Sequence, residues 1–281
     1  KKHIFISGLP RSGTTLILNI LYETNEFASL KYLNMPFILS PNISKFIPTK
    51  VIPKKERYHN DGIYFDLESP EAFDEIFFKV FSPKKDLSEF KKFIKLILKS
   101  QNKNRYLSKN NLNFKRIKSI SSLLPNSEFL IPIREPYQHS FSLHKQHYNF
   151  LKLQKKDKFI REYMNYLNHN EFGIDHKPWN IPIKYDDVNN INYWLEQWFL
   201  FYNKIYKEYV NVKCCNFIIY EEFYKKDNFN NLISKLEIDN VGYSNFFKIK
   251  SDYILSSILD RDLYKKSLSL YNEFKKKIAS N

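Results

Sequence analysis

The sequence predicts an α/β fold: a P-loop-type parallel β-sheet flanked by helices, with long loops. Three observations point to it. Short apolar runs alternate with segments of helical period, the first run passes through a glycine-bounded turn directly into a helix, and prolines and aromatic residues gather in two stretches that follow neither period.

Each element has its own signal. His3-Ile-Phe-Ile-Ser7 is a strand that stops at Gly8, and Leu16, Ile17, Ile20 and Leu21 give residues 14–25 the spacing of a helix. Residues 84–100 carry charges opposite Phe90, Phe93, Ile94, Ile97 and Leu98, which predicts an amphipathic surface helix. Residues 111–124 read as a helix, Pro125-Asn126 as a turn, 129–133 as a buried strand, and Pro136 as the first residue of another helix. A long helix around 191–210 leads to a third apolar run, 214–220. Strands separated by helices pair in parallel and are covered on both faces. Residues 32–66 and 168–187 are left as loops long enough to serve a function, and no linker divides the chain, so residues 1–281 are expected to form one domain.

Composition narrows the partners. The chain has 45 Lys+Arg against 30 Asp+Glu, a formal charge of +15, which suits an anionic partner. The same lysines belong to a sequence rich in Lys, Asn, Ile, Phe and Tyr, so genome composition accounts for the charge equally well. No run reaches the roughly eighteen apolar residues of a membrane span, no charged-then-apolar leader opens the chain, and the two cysteines, Cys214 and Cys215, are adjacent. A cytoplasmic protein with no membrane span, no disulfide framework and no cysteine metal site is expected.

The opening turn, Gly8-Leu-Pro-Arg-Ser-Gly13-Thr14-Thr15, keeps both glycines and the last hydroxyl of the triphosphate-binding pattern GxxxxGK[ST], but Thr14 stands at the lysine position and the cation is Arg11. Loop N–H groups, the following helix N-terminus and the hydroxyls of Ser12, Thr14 and Thr15 still favour an anion. No apolar strand ends in the Asp that would hold magnesium, which weighs against a nucleotide kinase. A chance strand–turn–helix is the plain alternative. Farther along, Phe129-Leu-Ile-Pro-Ile-Arg134-Glu-Pro136 leads to Ser142, so that a guanidinium at a strand's carboxyl end and a hydroxyl on the next helix can meet a second phosphate. Two separated anion sites would grip a nucleotide at both ends.

Together Pro10-Arg11-Ser12-Gly13-Thr14-Thr15 and Arg134 to Ser142 resemble the 3′-phosphoadenylyl-sulfate-dependent sulfotransferases. The resemblance implies that the loop cradles the 5′-phosphosulfate and that Arg134 and Ser142 hold the 3′-phosphate, with no obligatory metal and with adenosine 3′,5′-bisphosphate as product. Tyr106-Leu-Ser-Lys109-Asn resembles the family's strand that carries a lysine toward the sulfuryl group, and Ile219-Tyr220-Glu221 its late strand. Residues 27–37, Arg57 to Gly62 with Ser69-Pro70-Glu71, and His169 to Gly173 look like a bacterial-type carbohydrate sulfotransferase branch. Arg11 and Lys109 are then the charge-stabilising candidates. The family's Glu after the loop helix has no counterpart in residues 29–35, which leaves His59 as the base, oriented by Asp61, with Asp61, Glu71, His169 and Glu171 as alternatives.

The implied acceptor bears a hydroxyl and belongs to the carbohydrates or sugar-containing metabolites. Tyr32, Phe37, Tyr64, Phe172, Trp179 and Trp194 could stack on sugar rings, although aromatic residues are 17% of the chain and most must be core. A nucleotide kinase, or a basic module that binds acidic polymer without catalysis, is the competing reading. Nucleic acid is not an expected partner, and the sequence leaves the oligomeric state open.

Overall fold

The computed structural model describes residues 1–46, 53–56, 63–81, 87–239 and 257–280, which belong to two compact bodies. The first comprises Lys1–Gly8, Thr14–Leu130 and Asn231–Gly242; the second comprises Leu9–Gly13, Ile131–Asn230 and Tyr243–Asn281.

The first body opens with β1 (His3–Ile6) and α1 (Thr14–Glu23), followed by β2 (Phe27–Ala28), the antiparallel pair β3 (Lys55–Glu56) and β4 (Tyr64–Phe65), α2 (Asp74–Phe81), α3 (Ser88–Gln101), β5 (Arg105–Lys109), α4 (Ile117–Leu123) and β6 (Ser127–Ile133). Parallel pairing joins β2 to β5, β5 to β1 and β1 to β6, with Phe5 facing Ser108 on one side and Phe129 on the other. β6 runs on into the second body, and β7 (Cys215–Ile219) completes the order β2-β5-β1-β6-β7. The second body carries α5 (Pro136–Lys156), α6 (Lys158–Tyr166), α7 (Ile191–Tyr209), α8 (Tyr220–Phe223) and α10 (Arg261–Ala279), while α9 (Lys226–Lys235) leads back to the first.

Local chemistry explains the boundaries. Glu135 caps α5 by accepting the Gln138 N–H at 2.7 Å, and Pro136 fits the first turn because its missing donor has no helical acceptor there. The expected helix over 111–124 divides into a 3₁₀ segment, Asn111–Arg116, and α4. Asn110 caps the segment by accepting the Leu112 N–H at 2.9 Å, and Ser7 accepts that of Phe114 at 2.8 Å, the donor that would otherwise close the first α-helical turn onto the Asn110 carbonyl. β2 has only two residues and no sequence period, and it forms because β5 offers it an edge. The 32–66 stretch contains two 3₁₀ turns, Tyr32–Phe37 and Ile43–Phe46, besides β3 and β4. Among the described residues no helix is long and apolar enough to cross a membrane.

Aromatic packing dominates both cores. Phe5 stacks on Phe129 at 5.4 Å and meets Tyr106 edge-on at 5.9 Å. On α7, Trp194, Trp198 and Tyr202 recur every four residues and are wholly buried, as a core-facing helical stripe requires.

The first body also buries an arginine. Arg105, 1% exposed, pairs with Glu26 at 2.7 Å and donates to the carbonyls of Lys2, Leu236 and Glu237 at 3.0, 2.6 and 2.8 Å, with its guanidinium 4.5 Å from the Phe27 ring centre. A planar fork serves four acceptors at once, which an ammonium cannot. Arg105→Ala takes the ion-pair partner from Glu26 and the guanidinium donors from three carbonyls, and it is expected to lower unfolding free energy by about 3–5 kcal/mol in denaturant titration.

Candidate active site

The turn after β1 is shaped by what its carbonyls find. Pro10 O lies 2.7 Å from His139 Nε2, and Leu9 O accepts from Ser12 Oγ at 2.7 Å and Ser12 N at 3.3 Å. Every peptide here is trans, so the Arg11 N–H points opposite to the Pro10 carbonyl, away from His139. Arg11 occupies the left-handed region at φ 68°, a conformation that costs a non-glycine residue about 1–2 kcal/mol. Gly13 has φ 103°, and a Cβ there would lie 2.6 Å from Tyr220 Cδ2, so both its backbone and the ring against it demand glycine.

His139 is fully buried, and its pKa falls to about 3 because burial disfavours the cation, with Arg134 and Arg11 adding repulsion. The ring is neutral at physiological pH, and an Nε2–H donor satisfies the Pro10 carbonyl. Ser12 is also fully buried, with its hydroxyl turned to Leu9 O and within reach of the Tyr202 phenol; Ser12 therefore shapes the loop from inside. Tyr202 donates to Pro132 O at 2.9 Å, tying the floor of the loop to the end of β6.

Arg134 follows β6 directly. Trp198 Nε1 donates to its carbonyl at 3.2 Å, its guanidinium lies 5.2 Å from the Tyr220 ring centre, and Nη1 stands 3.5 Å from Arg11 O. Its Nε is buried with no hydrogen-bond partner among the described residues, a donor suited to an anion's oxygen. Arg11 Nε donates to Ser142 Oγ at 3.2 Å. The loop's cation thus reaches the serine assigned to the other anchor, and the two expected anion sites adjoin through Arg11. Ser142 comes one helical turn after His139, so one face of α5 supplies both the loop's inner support and the arginine's partner.

The first body carries Thr14, Thr15 and Lys109. Thr14, buried, and Thr15, half-buried, open α1, and Lys109 ends β5 opposite Ile6 in register. Beside Lys109, buried Asp74 accepts from Tyr106 Oη at 2.6 Å and from Ser108 Oγ, while Glu75 receives both Arg116 Nη atoms at 2.9 Å and Asn110 Nδ2 at 2.7 Å. Burial raises the Asp74 pKa to about 6 against the pull of the Ser108 and Tyr106 hydroxyls. The acids that open α2 therefore hold the chain on both sides of Lys109. His139, Asp74 and Glu75 went unread in the sequence, although His139 shares the helical face of Ser142 and could have been found from that spacing.

His59, Asp61 and Arg57 lie outside the described residues. Glu71 accepts the Ala72 N–H at 2.7 Å and the Tyr32 hydroxyl, and the carbonyl of Glu171 meets His176 Nδ1 at 2.7 Å. Of the six aromatic candidates, Trp194 and Phe172 are core, tilted against each other with ring centres 6.0 Å apart and Trp179 beside them, and Tyr32 packs 4.5 Å from Phe65. Phe37 and Tyr64 are exposed, at 44% and 57%. Among the described residues no three His, Cys, Asp or Glu side chains gather as a metal site.

The parallel sheet flanked by helices is an α/β fold, and in the second body Arg11 and Arg134 lie together at the turn after β1. The profile described as "Sulfotransferase family" matches residues 3–188, and the chain belongs to that family: it is a sulfotransferase. Solved structures similar to it include a sulfotransferase from Alicyclobacillus acidocaldarius, with 12% identity over 100% of this chain and 95% of that one at a TM-score of 0.47. The sulfotransferase domain of the Synechococcus PCC 7002 olefin synthase has 12% identity over 98% and 94%, at 0.44. Sulfotransferase STF9 from Mycobacterium avium has 11% identity over 97% and 68%, also at 0.44. No curated protein matches the sequence.

His139 sets the acid behaviour of the loop. Its pKa is lower folded than unfolded, so its contribution is whole above about 6.5 and drains away as pH falls toward 3, whereas Asp74, with a raised pKa, works in the opposite direction. Comparison with His139→Gln, which keeps an N–H donor and cannot titrate, isolates the histidine. Wild type should lose melting temperature relative to that variant between pH 6.5 and 4 in parallel thermal scans.

Proposed function

We propose that the chain transfers the sulfuryl group of 3′-phosphoadenylyl sulfate to a hydroxyl acceptor, a carbohydrate or sugar-containing metabolite, by in-line displacement. The observation that carries this reading is the joined constellation of the turn with Arg11, Ser142 and Arg134, whose buried Nε has no protein partner among the described residues. It offers cationic donors to phosphate oxygens, and Thr14 stands where a triphosphate loop needs lysine.

The donor supplies a sulfuryl group already joined to a phosphate leaving group. Residues Arg11 to Thr15 would hold its 5′ end, mainly through N–H groups, and Arg134 with Ser142 would hold the 3′-phosphate. Arg11 and Lys109 would balance the charge that grows on the transferred oxygens and on the leaving phosphate as one S–O bond breaks and another forms. A sulfuryl group carries less charge than a phosphoryl group, so fixed cations are adequate to the task without an obligatory metal. His59 is proposed to take the acceptor's proton. The carbohydrate class is supported by the motifs in residues 27–37, 57–62 with 69–71, and 169–173 and by the exposed faces of Phe37 and Tyr64.

The donor is tested by thermal shift. Adenosine 3′,5′-bisphosphate at about a hundred times its Kd should stabilise the protein by roughly 2.7 kcal/mol, whereas ATP with magnesium should give no comparable shift; selective stabilisation by ATP would point to a kinase. Arg134→Ala should weaken the bisphosphate far more than adenosine 5′-phosphate, and equal losses would remove its 3′-phosphate role. Lys109→Ala should lower kcat about a hundredfold while leaving the bisphosphate's Kd near wild type. His59→Ala should abolish transfer with nucleotide binding retained, and substantial surviving activity would reject it as the base.

A further inference from the structure

Helix α10 bonds the acids that follow Arg134 and Tyr220. Tyr264, Tyr271 and Lys275 of α10 are seven and four residues apart, which places them on one helical face. Each holds an acid. Tyr264 Oη donates to Glu135 Oε1 at 2.9 Å, Tyr271 Oη donates to Glu221 Oε2 at 2.9 Å, and Lys275 pairs with Glu222 at 2.6 Å. Glu135 is the residue after Arg134, and Glu221 is the residue after Tyr220, whose ring lies against both Arg134 and Gly13.

The acids are joined to one another. Glu221 Oε1 accepts the backbone N–H of Glu135 at 2.9 Å, so the turn after β7 is bonded directly to the turn after β6. Glu135 has its other oxygen on the Gln138 N–H at 2.7 Å, as the cap of α5. Burial raises the pKa of Glu221, while the Glu135 N–H, the Tyr271 hydroxyl and the charge of Arg134 pull it back. A carboxylate kept this close to a phosphate-binding arginine works against an incoming anion unless it is fully occupied by donors. Here Tyr271 and the Glu135 N–H occupy one oxygen each.

We propose that α10 sets the reach of Arg134, with Tyr271 acting through Glu221 and Tyr264 acting through Glu135 as positioning residues for the 3′-phosphate anchor. The proposal rests on the 3′-phosphate reading of Arg134. It assigns a role to a helix that lies beyond residues 3–188, where the family profile ends. Lys275 and Glu222 are both partly exposed, at 39% and 29%, and their pair is a peripheral fastener weakened by solvent.

The test is calorimetric titration of the full chain with adenosine 3′,5′-bisphosphate and with adenosine 5′-phosphate. Tyr264→Phe with Tyr271→Phe should raise the bisphosphate's Kd about tenfold and the monophosphate's less than twofold, since each change removes one hydrogen bond to a charged group. Tyr264→Phe alone, which leaves Glu221 satisfied, should give a smaller shift with the same selectivity and serves if the double variant does not fold. Equal losses for both ligands, or no loss for either, would overturn the proposal while Arg134→Ala remains selective. A non-selective Arg134→Ala would instead remove the 3′-phosphate reading, and the role of α10 with it.

Discussion

The hydrogen bond between neutral His139 and the Pro10 carbonyl is the contact on which the candidate site depends. A turn this short between a buried strand and a helix cannot leave its carbonyls unpaired, and partners on one side decide which side faces outward. With Pro10 O on His139 and Leu9 O on Ser12, the loop presents the opposite edge of its peptide planes, the Arg11 N–H among them. Were the imidazole charged it would add a third cation beside Arg11 and Arg134. Burial prevents this, and the two guanidiniums keep the local positive charge for a ligand.

The two bodies solve one problem in the same way. At its carboxyl end a parallel strand runs out of neighbours while the chain must still turn sharply, so backbone and side-chain donors there need acceptors. In the first body the acids of α2 meet this need around Lys109, through Ser108, Asn110 and Arg116. In the second, Glu135 and Glu221 do so next to Arg134, themselves steadied by α10. In each case a carboxylate holds residues that stand next to a cation in sequence: Ser108 and Asn110 around Lys109, and Glu135 after Arg134.

Much of this was legible from residue order alone. β1, α1, β6 and the start of α5 are where apolar runs, Gly8 and Pro136 place them, because each is governed by local periodicity and turn chemistry. β2 was not legible, since two residues owe their strand form to a neighbour far away in sequence. The same holds for the 3₁₀ segment after Asn110, which depends on Ser7, and for Tyr264 and Tyr271, whose partners lie 129 and 50 residues away. Around the candidate site, a motif singles out Arg11, Gly13, Arg134 and Ser142, and the structure brings Arg11 to both Ser142 and Arg134. Phe172 and Trp194, offered as sugar platforms, are core, since an aromatic residue in a polar stretch gives no sign of which way it faces.

The hydrogen bond from Arg11 to Ser142 has an entropic consequence. A free arginine side chain carries about 2 kcal/mol of rotamer freedom, most of which vanishes when it grips an anion. Held by a serine hydroxyl on a 21-residue helix, Arg11 has surrendered part of that freedom during folding. Under the proposed function, recognition would begin from an ordered side chain on a strained backbone, with less of its freedom left to freeze.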